Sequence, residues 1–364
     1  MNLKYGIASP STITRMLNGI DEELALYAFM EWIGEIVESR NTYLAIDGKA
    51  LCGATEKTKG ETTPMLLNVV ETVRGLILAQ LPVDSKTNEI TAIPELLKLL
   101  DISGSIVTID AVGTQTAIME QIHEQGGHFV LTVKKNQPEA YEEIHTFMDK
   151  LGAEDLKRKK GEAMDPGMKE FLEKYEEISQ MEKNRDRNEY RTCQICKDAS
   201  NLTKSQKEWP HVQSIGRIKQ VRIPKEKDSQ GNDVTPSKEE FLEKGSRRIP
   251  APSAGEGAGK DVQCTALISD LILTAEELGS IKRMHWSIEN RLHHVLDDTF
   301  REDRSPAKKS RNNLSLIRKY AYNILRLAMY ETGLANIMTE MMDCFCDNAA
   351  LRERYVFQGI ASLY

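Results

Sequence analysis

Two short apolar runs that each end on an aspartate constrain this chain most: Thr42-Tyr-Leu-Ala-Ile-Asp47-Gly48-Lys49 and Ser105-Ile-Val-Thr-Ile-Asp110-Ala111. Brief apolar runs bounded by turn residues read as buried strands. Open α/β sheets carry their functional polar groups at strand C-terminal ends, where both aspartates fall. Apolar spacing predicts two further strands at 65–73 and 75–83, with Glu71–Gly75 as the turn between them. A helix follows over 88–100, with Ile90, Ile93, Leu96, Leu97 and Leu100 on one side, and 105–109 is the next strand. Then come a helix over 116–124, closed by Gly126-Gly127, and a strand over 128–133. The order β-β-β-α-β-α-β builds a mixed α/β sheet flanked by helices. If the first and fourth strands are neighbours, Asp47 and Asp110 meet at one edge of that sheet.

Residues 1–40 read as helical, with a start signal at Ser9-Pro-Ser-Thr12 and Leu24, Tyr27, Ala28, Trp32 and Val37 at helical spacings. After Val133, a helix is expected over 139–149, and the Lys- and Glu-dense stretch 155–187 reads as a solvated helix or a mobile arm. Strand-like alternation returns at 190–196, 212–215 and 218–223, followed by a polar loop over 225–260 and a strand over 262–269. A capping box, Thr274-Ala-Glu-Glu277, opens a helical stretch that runs to about Thr332. The expected organisation is a helical segment 1–40, a core 41–137, an insertion 138–270, a completion of the core 271–332 and a tail 333–364.

No apolar stretch approaches the ~18 residues of a membrane span. The opening Met-Asn-Leu-Lys-Tyr-Gly lacks the apolar core of a signal peptide, which makes the cytoplasm the default compartment. Six irregularly spaced cysteines give no disulfide framework, and Cys193-x-x-Cys196 has zinc-ligand spacing without a second pair. A net charge of -7 argues against nucleic acid as a partner. Locally the sign reverses: Arg301, Arg304, Lys308, Lys309, Arg311, Arg318, Lys319 and Arg326 stand against two acids. Such a run is either a phosphate-binding stripe or a solvated helix face.

A third carboxylate lies in His285-Trp-Ser-Ile-Glu289-Asn290, on a helix whose His285 and His293 share its face. The His-Glu-x-x-His order of zinc proteases is absent here. Trp286, Leu292, Val295 and Leu296 form the core-facing side. Three acids from distant positions suit two Mg2+ ions, held ~3.5–4 Å apart, that clamp a scissile phosphate. On that reading Asp47 bridges the ions, Asp110 and Glu289 each complete one side, and all three fall within metal-bridging reach. Singly, an aspartate at a strand end is more often an ordinary turn residue.

Several motifs in order carry a resemblance: Asp47-Gly-Lys49, Lys86-x-Asn88-Glu89-Ile90, Ile106-Val-Thr-Ile-Asp110-Ala-x-Gly-Thr-Gln115 and Lys134-x-Asn136-Gln137. His285-Trp-x-Ile-Glu289-Asn290-x-Leu-His293, Leu296-Asp297, Phe300-x-Glu302-Asp303 and Asn313-Leu continue it. Together, from about Ala8 to Leu325, they resemble insertion-sequence transposases related to the H-repeat-associated protein. The resemblance implies a ribonuclease H-like core with a DDE triad at Asp47, Asp110 and Glu289, bound by two Mg2+ or Mn2+ ions. It implies cleavage of a DNA strand and attack of the freed 3'-OH on target DNA. The partners implied are double-stranded DNA (the element's terminal inverted repeats and the target) and a second copy of the chain, on the bacterial nucleoid. Candidate DNA contacts are Lys49, Lys134, Arg301, Arg304, Lys308, Lys309 and Arg311.

The chain departs from the family at Cys52, usually Arg, and at His294, usually Trp. Leu296 stands where related transposases carry a Lys, and Lys282, Arg283 or Arg291 are the candidates to replace that charge. It also starts late relative to the family's helical N-terminal segment, so poor nicking and no selection of the element's ends are expected. The alternatives are a non-catalytic DNA-binding remnant and a nuclease that does not transpose.

Overall fold

The computed structural model describes residues 8–51, 63–83, 88–183, 187–202, 209–224, 226–227, 230, 233–234 and 262–357. Cys52, Lys86 and most of the expected 225–260 loop lie outside the described residues. Backbone contacts divide the chain into two units, the first being 1–113, 121–127 and 283–364, the second 114–120 and 128–282.

The first unit carries helices α1 (Pro10–Gly19) and α2 (Glu22–Gly34) and strands β1 (Tyr43–Ala50), β2 (Met65–Glu71), β3 (Leu76–Val83) and β4 (Ile106–Ile109). The strand order is β3-β2-β1-β4. β1 runs antiparallel to β2 and parallel to β4, and β2 is antiparallel to β3. This mixed sheet flanked by helices is the arrangement that the ribonuclease H-like resemblance implies. Leu44, Ala45 and Ile46 of β1 are buried in succession, as expected of a strand covered on both faces. Helix α3 (Glu89–Lys98) buries Ala92, Ile93, Leu96 and Leu97, while Ile90, expected on the same side, is exposed.

In α2, Asp21 caps the helix by accepting from the Leu24 N–H. Leu24 and Tyr27, which share the helical spacing, are exposed, whereas Phe29 and Ile33 are buried. The reason is the partner: the Phe29 ring meets Tyr320 edge-on at 4.8 Å, and Trp32 lies 4.8 Å from the same ring.

Helix α4 spans Thr116–Glu124, and Gly126 after it has φ 71°, the left-handed conformation in which glycine closes helices. The second unit joins β5 (His128–Val133), β6 (Tyr175–Lys183), β7 (Arg187–Cys196), β8 (Ser214–Pro224) and β9 (Val262–Ser269) in the order β5-β9-β8-β7-β6, every pair antiparallel. Helix α5 (Pro138–Lys160) is tied to this sheet through buried Arg217, which donates to the His145 carbonyl at 3.1 Å and pairs with Asp149 at 2.8 Å. Of the charged stretch 155–187, expected as a solvated helix or mobile arm, the first residues extend α5 to Lys160 and Lys169–Glu173 form a short helix α6, but Tyr175–Lys183 form strand β6. The tertiary ladder with β7 overrides the polar composition there. The two pieces read at 212–215 and 218–223 are one strand, β8.

Helix α7 (Ala275–Ile288) opens with the expected capping box: Thr274 N–H donates to Glu277 at 2.8 Å, and Glu277 N–H donates to the Thr274 hydroxyl at 3.2 Å. The helical stretch is not continuous to Thr332, as expected from the sequence. Two wide turns, Glu289–His293 and Val295–Thr299, end in an irregular segment before α8 (Arg311–Thr332). Helix α8 covers the edge of the first unit's sheet: buried Asn323 accepts from the Ile77 N–H at 2.9 Å and donates to the Ile77 carbonyl at 2.8 Å. The expected tail contains helix α9 (Met338–Asp347), which buries Met341 and Phe345.

Candidate active site

Strand pairing places the two aspartates together. Ile46 on β1 is the register partner of Ile109 on β4, and the two strands are parallel. Asp47 and Asp110 each follow directly, so they sit side by side, where neighbouring strands lie ~4.8 Å apart. Asp110 ends its strand as expected, but Asp47 does not, because β1 runs on to Ala50 in register with β2. Asp110 then turns away through a tight helical turn, Ala111–Gly113, closed by Gly113 N–H donating to the Asp110 carbonyl at 2.9 Å.

Glu289 is exposed at the point where α7 widens. There the His294 N–H reaches the Glu289 carbonyl, five residues back instead of four. Such widened turns recur at functional sites. The neighbouring histidines bracket the acid on the expected face. His285 Nδ1 lies 3.0 Å from the Thr108 hydroxyl on β4, and His293 Nδ1 lies 3.6 Å from Asp47 Oδ2.

Asp47 is the electrostatic centre of this group. Burial, opposed by the Gly48 N–H and reinforced by the charges of Glu289, Asp110 and Glu89, pushes its carboxyl up to about 7. His293 moves the other way, to about 4, because burial and then the charges of Lys49 and Lys319 disfavour its cation. The His293–Asp47 contact is therefore not an ion pair at neutral pH, and 3.6 Å is too long for a hydrogen bond. His293 Nε2 is buried without a hydrogen-bond partner in the structure.

The structure thus gathers Asp47, Asp110 and Glu289 into one charged neighbourhood. It adds Glu89, which in sequence belongs to a motif but reads only as part of a helix start. Glu89 is held high by burial and then by the Asp110 charge. Among the described residues, no three carboxylate, imidazole or thiol groups come close enough to hold a metal ion. The donor chemistry nonetheless fits a hard divalent cation, which takes carboxylate oxygens and relieves the repulsion that lifts Asp47.

Lys49 is placed differently from the expectation. It is 5% exposed, and its ammonium pairs with Asp297 and lies 3.6 Å from Glu302 and 3.9 Å from Asp303. A cation enclosed by three carboxylates of its own fold is not offered to phosphate. The basic run divides likewise. Arg301, Arg304, Lys308 and Lys309 are exposed and Arg311 is half-buried. Arg318 and Arg326 instead donate to the carbonyls of Phe300 and Arg74, and Lys319 is fully buried with its ammonium 2.5 Å from Gln80 Oε1. Lys134, just beyond β5, is exposed. Of the candidate replacements for the missing lysine, Lys282 is buried and donates to the Thr132 hydroxyl at 2.8 Å, whereas Arg283 and Arg291 are exposed. Leu296 itself is fully buried. Cys193 and Cys196 are buried and not in a disulfide, with Cys193 in the interior of β7.

Residues 40–324 match the transposase DDE domain family, which is more than half of the chain. The chain belongs to that family. Among the chain's relatives is the "Putative transposase YncI" of Escherichia coli O157:H7, 29% identical over 324 residues, a match that covers 88% of this chain and 71% of the relative. Another is the "H repeat-associated putative transposase YhhI" of Escherichia coli strain K12, 28% identical over 329 residues, 89% of this chain and 75% of the relative. Among solved structures, a piggyBac transposase synaptic complex with hairpin DNA aligns at TM-score 0.39 and 10% identity, covering 95% of this chain and 61% of that one. No helix among the described residues is long and apolar enough to cross a membrane.

Proposed function

We propose that this chain cleaves and joins DNA strands for an insertion sequence, with Asp47, Asp110 and Glu289 as the catalytic carboxylates. The observation that supports this most is the β1–β4 register, which sets Asp47 beside Asp110 in a member of the transposase DDE family. Asp47, Asp110 and Glu289 would hold two divalent ions (Mg2+ or Mn2+), which would supply activation of the attacking oxygen and stabilisation of the leaving one. Asp47 within β1 and Asp110 just after the neighbouring β4 present carboxylate oxygens side by side, and Glu289 presents a third from the widened helix. His293, kept neutral, packs against Asp47 without adding a positive charge that competes for it. The first step is attack of water on a phosphodiester, which breaks the P–O3' bond and frees a 3'-OH. In the second, that hydroxyl attacks a target phosphodiester and displaces its O3'.

The partners proposed are double-stranded DNA, namely the element's inverted repeats and its target, and a second copy of the chain, working at the nucleoid. Exposed Arg301, Arg304, Lys308 and Lys309, with Arg311 and Lys134, supply charge for phosphates, which positions DNA without reading its sequence.

The test is nicking of supercoiled plasmid by the purified chain in Mg2+, Mn2+ or EDTA, beside Asp110→Asn. Metal-dependent nicking that Asp110→Asn abolishes supports the proposal. Nicking that persists in EDTA or in Asp110→Asn overturns the assigned site. DNA binding without nicking under any metal favours the non-catalytic remnant, and cutting without any strand joining favours the simple nuclease.

A further inference from the structure

We propose that Glu89 is a fourth carboxylate ligand of this site, brought over strand β1 by the absence of a side chain at Gly48. The inference rests on the reading of Asp47, Asp110 and Glu289 as metal-binding acids. It begins with a close approach. A Cβ built on Gly48 would lie 2.4 Å from Glu89 Oε1, 3.4 Å from its Cδ and 3.1 Å from Met65 Sδ. The Glu89 carboxylate therefore occupies the space that any other residue at position 48 would fill, directly next to Asp47. The backbone of Gly48 demands no glycine, since it lies in strand β1 in register with Leu67 and its φ is not positive. What a side chain there would displace is the flexible end of Glu89, so the glycine leaves room for that carboxylate beside Asp47.

Helix α3 holds the carboxylate there. Glu89 is its first residue, and Asn88 caps it reciprocally: the Thr91 N–H donates to Asn88 Oδ1 at 3.0 Å, and the Asn88 N–H donates to the Thr91 hydroxyl at 3.3 Å. Ile93, one turn on, is buried, and its Cδ1 would stand 3.3 Å from a Cβ on Gly113, in the turn that follows Asp110. The same helix thus packs on the turn after Asp110 and lays its first carboxylate over the residue after Asp47. A first-turn acid also favours its own helix dipole. That role is met by a carboxylate in solvent and needs no glycine on the neighbouring strand. Hard divalent ions accept several carboxylate oxygens at once, so a fourth acid here is a ligand rather than a burden once they bind.

The experiment titrates Mn2+ into the full chain by calorimetry, comparing wild type with Glu89→Gln, Gly48→Ala and Asp110→Asn, with circular dichroism as the check on folding. Glu89→Gln and Gly48→Ala should each weaken Mn2+ binding at least ~10-fold while helix content is unchanged, and Glu89→Gln should raise the metal-free melting temperature, because one of four crowded charges is gone. Wild-type Mn2+ affinity in Glu89→Gln, with loss in Asp110→Asn, overturns the fourth ligand and leaves the three-acid reading standing. Wild-type affinity in Asp110→Asn as well overturns both. Should Glu89→Gln fail to fold, Gly48→Ala decides, and wild-type affinity there overturns the proposal.

Discussion

Asp47 and Lys49 lie two residues apart on one strand and face the same way, yet their surroundings are opposite. Asp47 is a carboxylate among carboxylates, raised by burial and by Glu289, Asp110 and Glu89. Lys49 is a buried cation that three acids enclose, with Asp297, Glu302 and Asp303 drawn from the segment after the widened helix. Glu302 is in turn held by the Ser315 hydroxyl at 2.6 Å. The alternation of β1 puts residues 47 and 49 on one face, and the helical segment above it supplies His293 opposite the first and Asp297 opposite the second. The Lys49 cluster is complete within the fold and fixes the helix on the sheet. The Asp47 cluster keeps carboxylates close to one another. On the proposed function, such crowded like charge belongs to the metal-binding site and the paired buried charge to the scaffold.

Substitutions on the two clusters should therefore fail in different ways. The largest effect is on function: Asp47→Asn should abolish metal-dependent nicking while DNA binding in a filter or anisotropy assay is kept or improved, since a negative charge near phosphate is removed. Equal loss of binding and nicking would make Asp47 structural and erase the contrast. Lys49→Met comes next. It strands three carboxylates, Glu302 buried and Asp297 and Asp303 about a third exposed, and removal of one partner from a buried ion cluster costs about 3–5 kcal/mol. Urea unfolding measures this, and a loss below about 1 kcal/mol would mean that Lys49 is a solvent-screened surface pair.

The third effect has the opposite sign. The Asp47 carboxyl titrates near 7 in the fold against 3.8 without the fold's influence. A raised carboxyl adds stability where it is protonated and loses it as pH rises through that value. At pH 8 the ionised group thus costs on the order of 2–4 kcal/mol. Asp47→Asn should raise metal-free stability by that order at pH 8, with a gain that shrinks toward zero near pH 4. A gain that is independent of pH would show that ionisation of the buried, crowded carboxyl is not its cause. The smallest effect lies outside both clusters. Arg304, Lys308 and Lys309 changed together to Ala should weaken binding to all DNA alike and flatten the salt dependence by roughly one unit of slope for each phosphate no longer neutralised. An unchanged slope would return these residues to a merely solvated surface.

Much of the site is legible in the amino-acid order alone. Apolar runs ending on Asp47 and Asp110 are strong local signals, and the strands and helix from 106 to 133 fall within a residue of their expected bounds. Glu289 is found through a motif, because an exposed acid on a helix carries no signal of its own. What stays hidden depends on tertiary contact. Position 49 reads as a free cation in sequence, since its three acids lie about 250 residues away. Glu89 reads as a helix-start acid, since its neighbour is a glycine on another strand. Leu24 and Tyr27 fit the helical period as well as Phe29 and Ile33 do, and only the position of Tyr320 decides which face is covered. Strand β6 escapes detection because its Lys and Glu content outweighs a weak alternation that pairing with β7 makes good.

The most direct test of the contrast on β1 is the titration of the Asp47 carboxyl itself, followed by carbon NMR in the metal-free chain and again with Mg2+. A midpoint near 7 without metal is expected, with a fall below the ordinary carboxylate value of about 4 once Mg2+ binds, and a partial fall in metal-free Glu289→Gln. A midpoint near 4 that neither Mg2+ nor Glu289→Gln moves would contradict the shared acidic site.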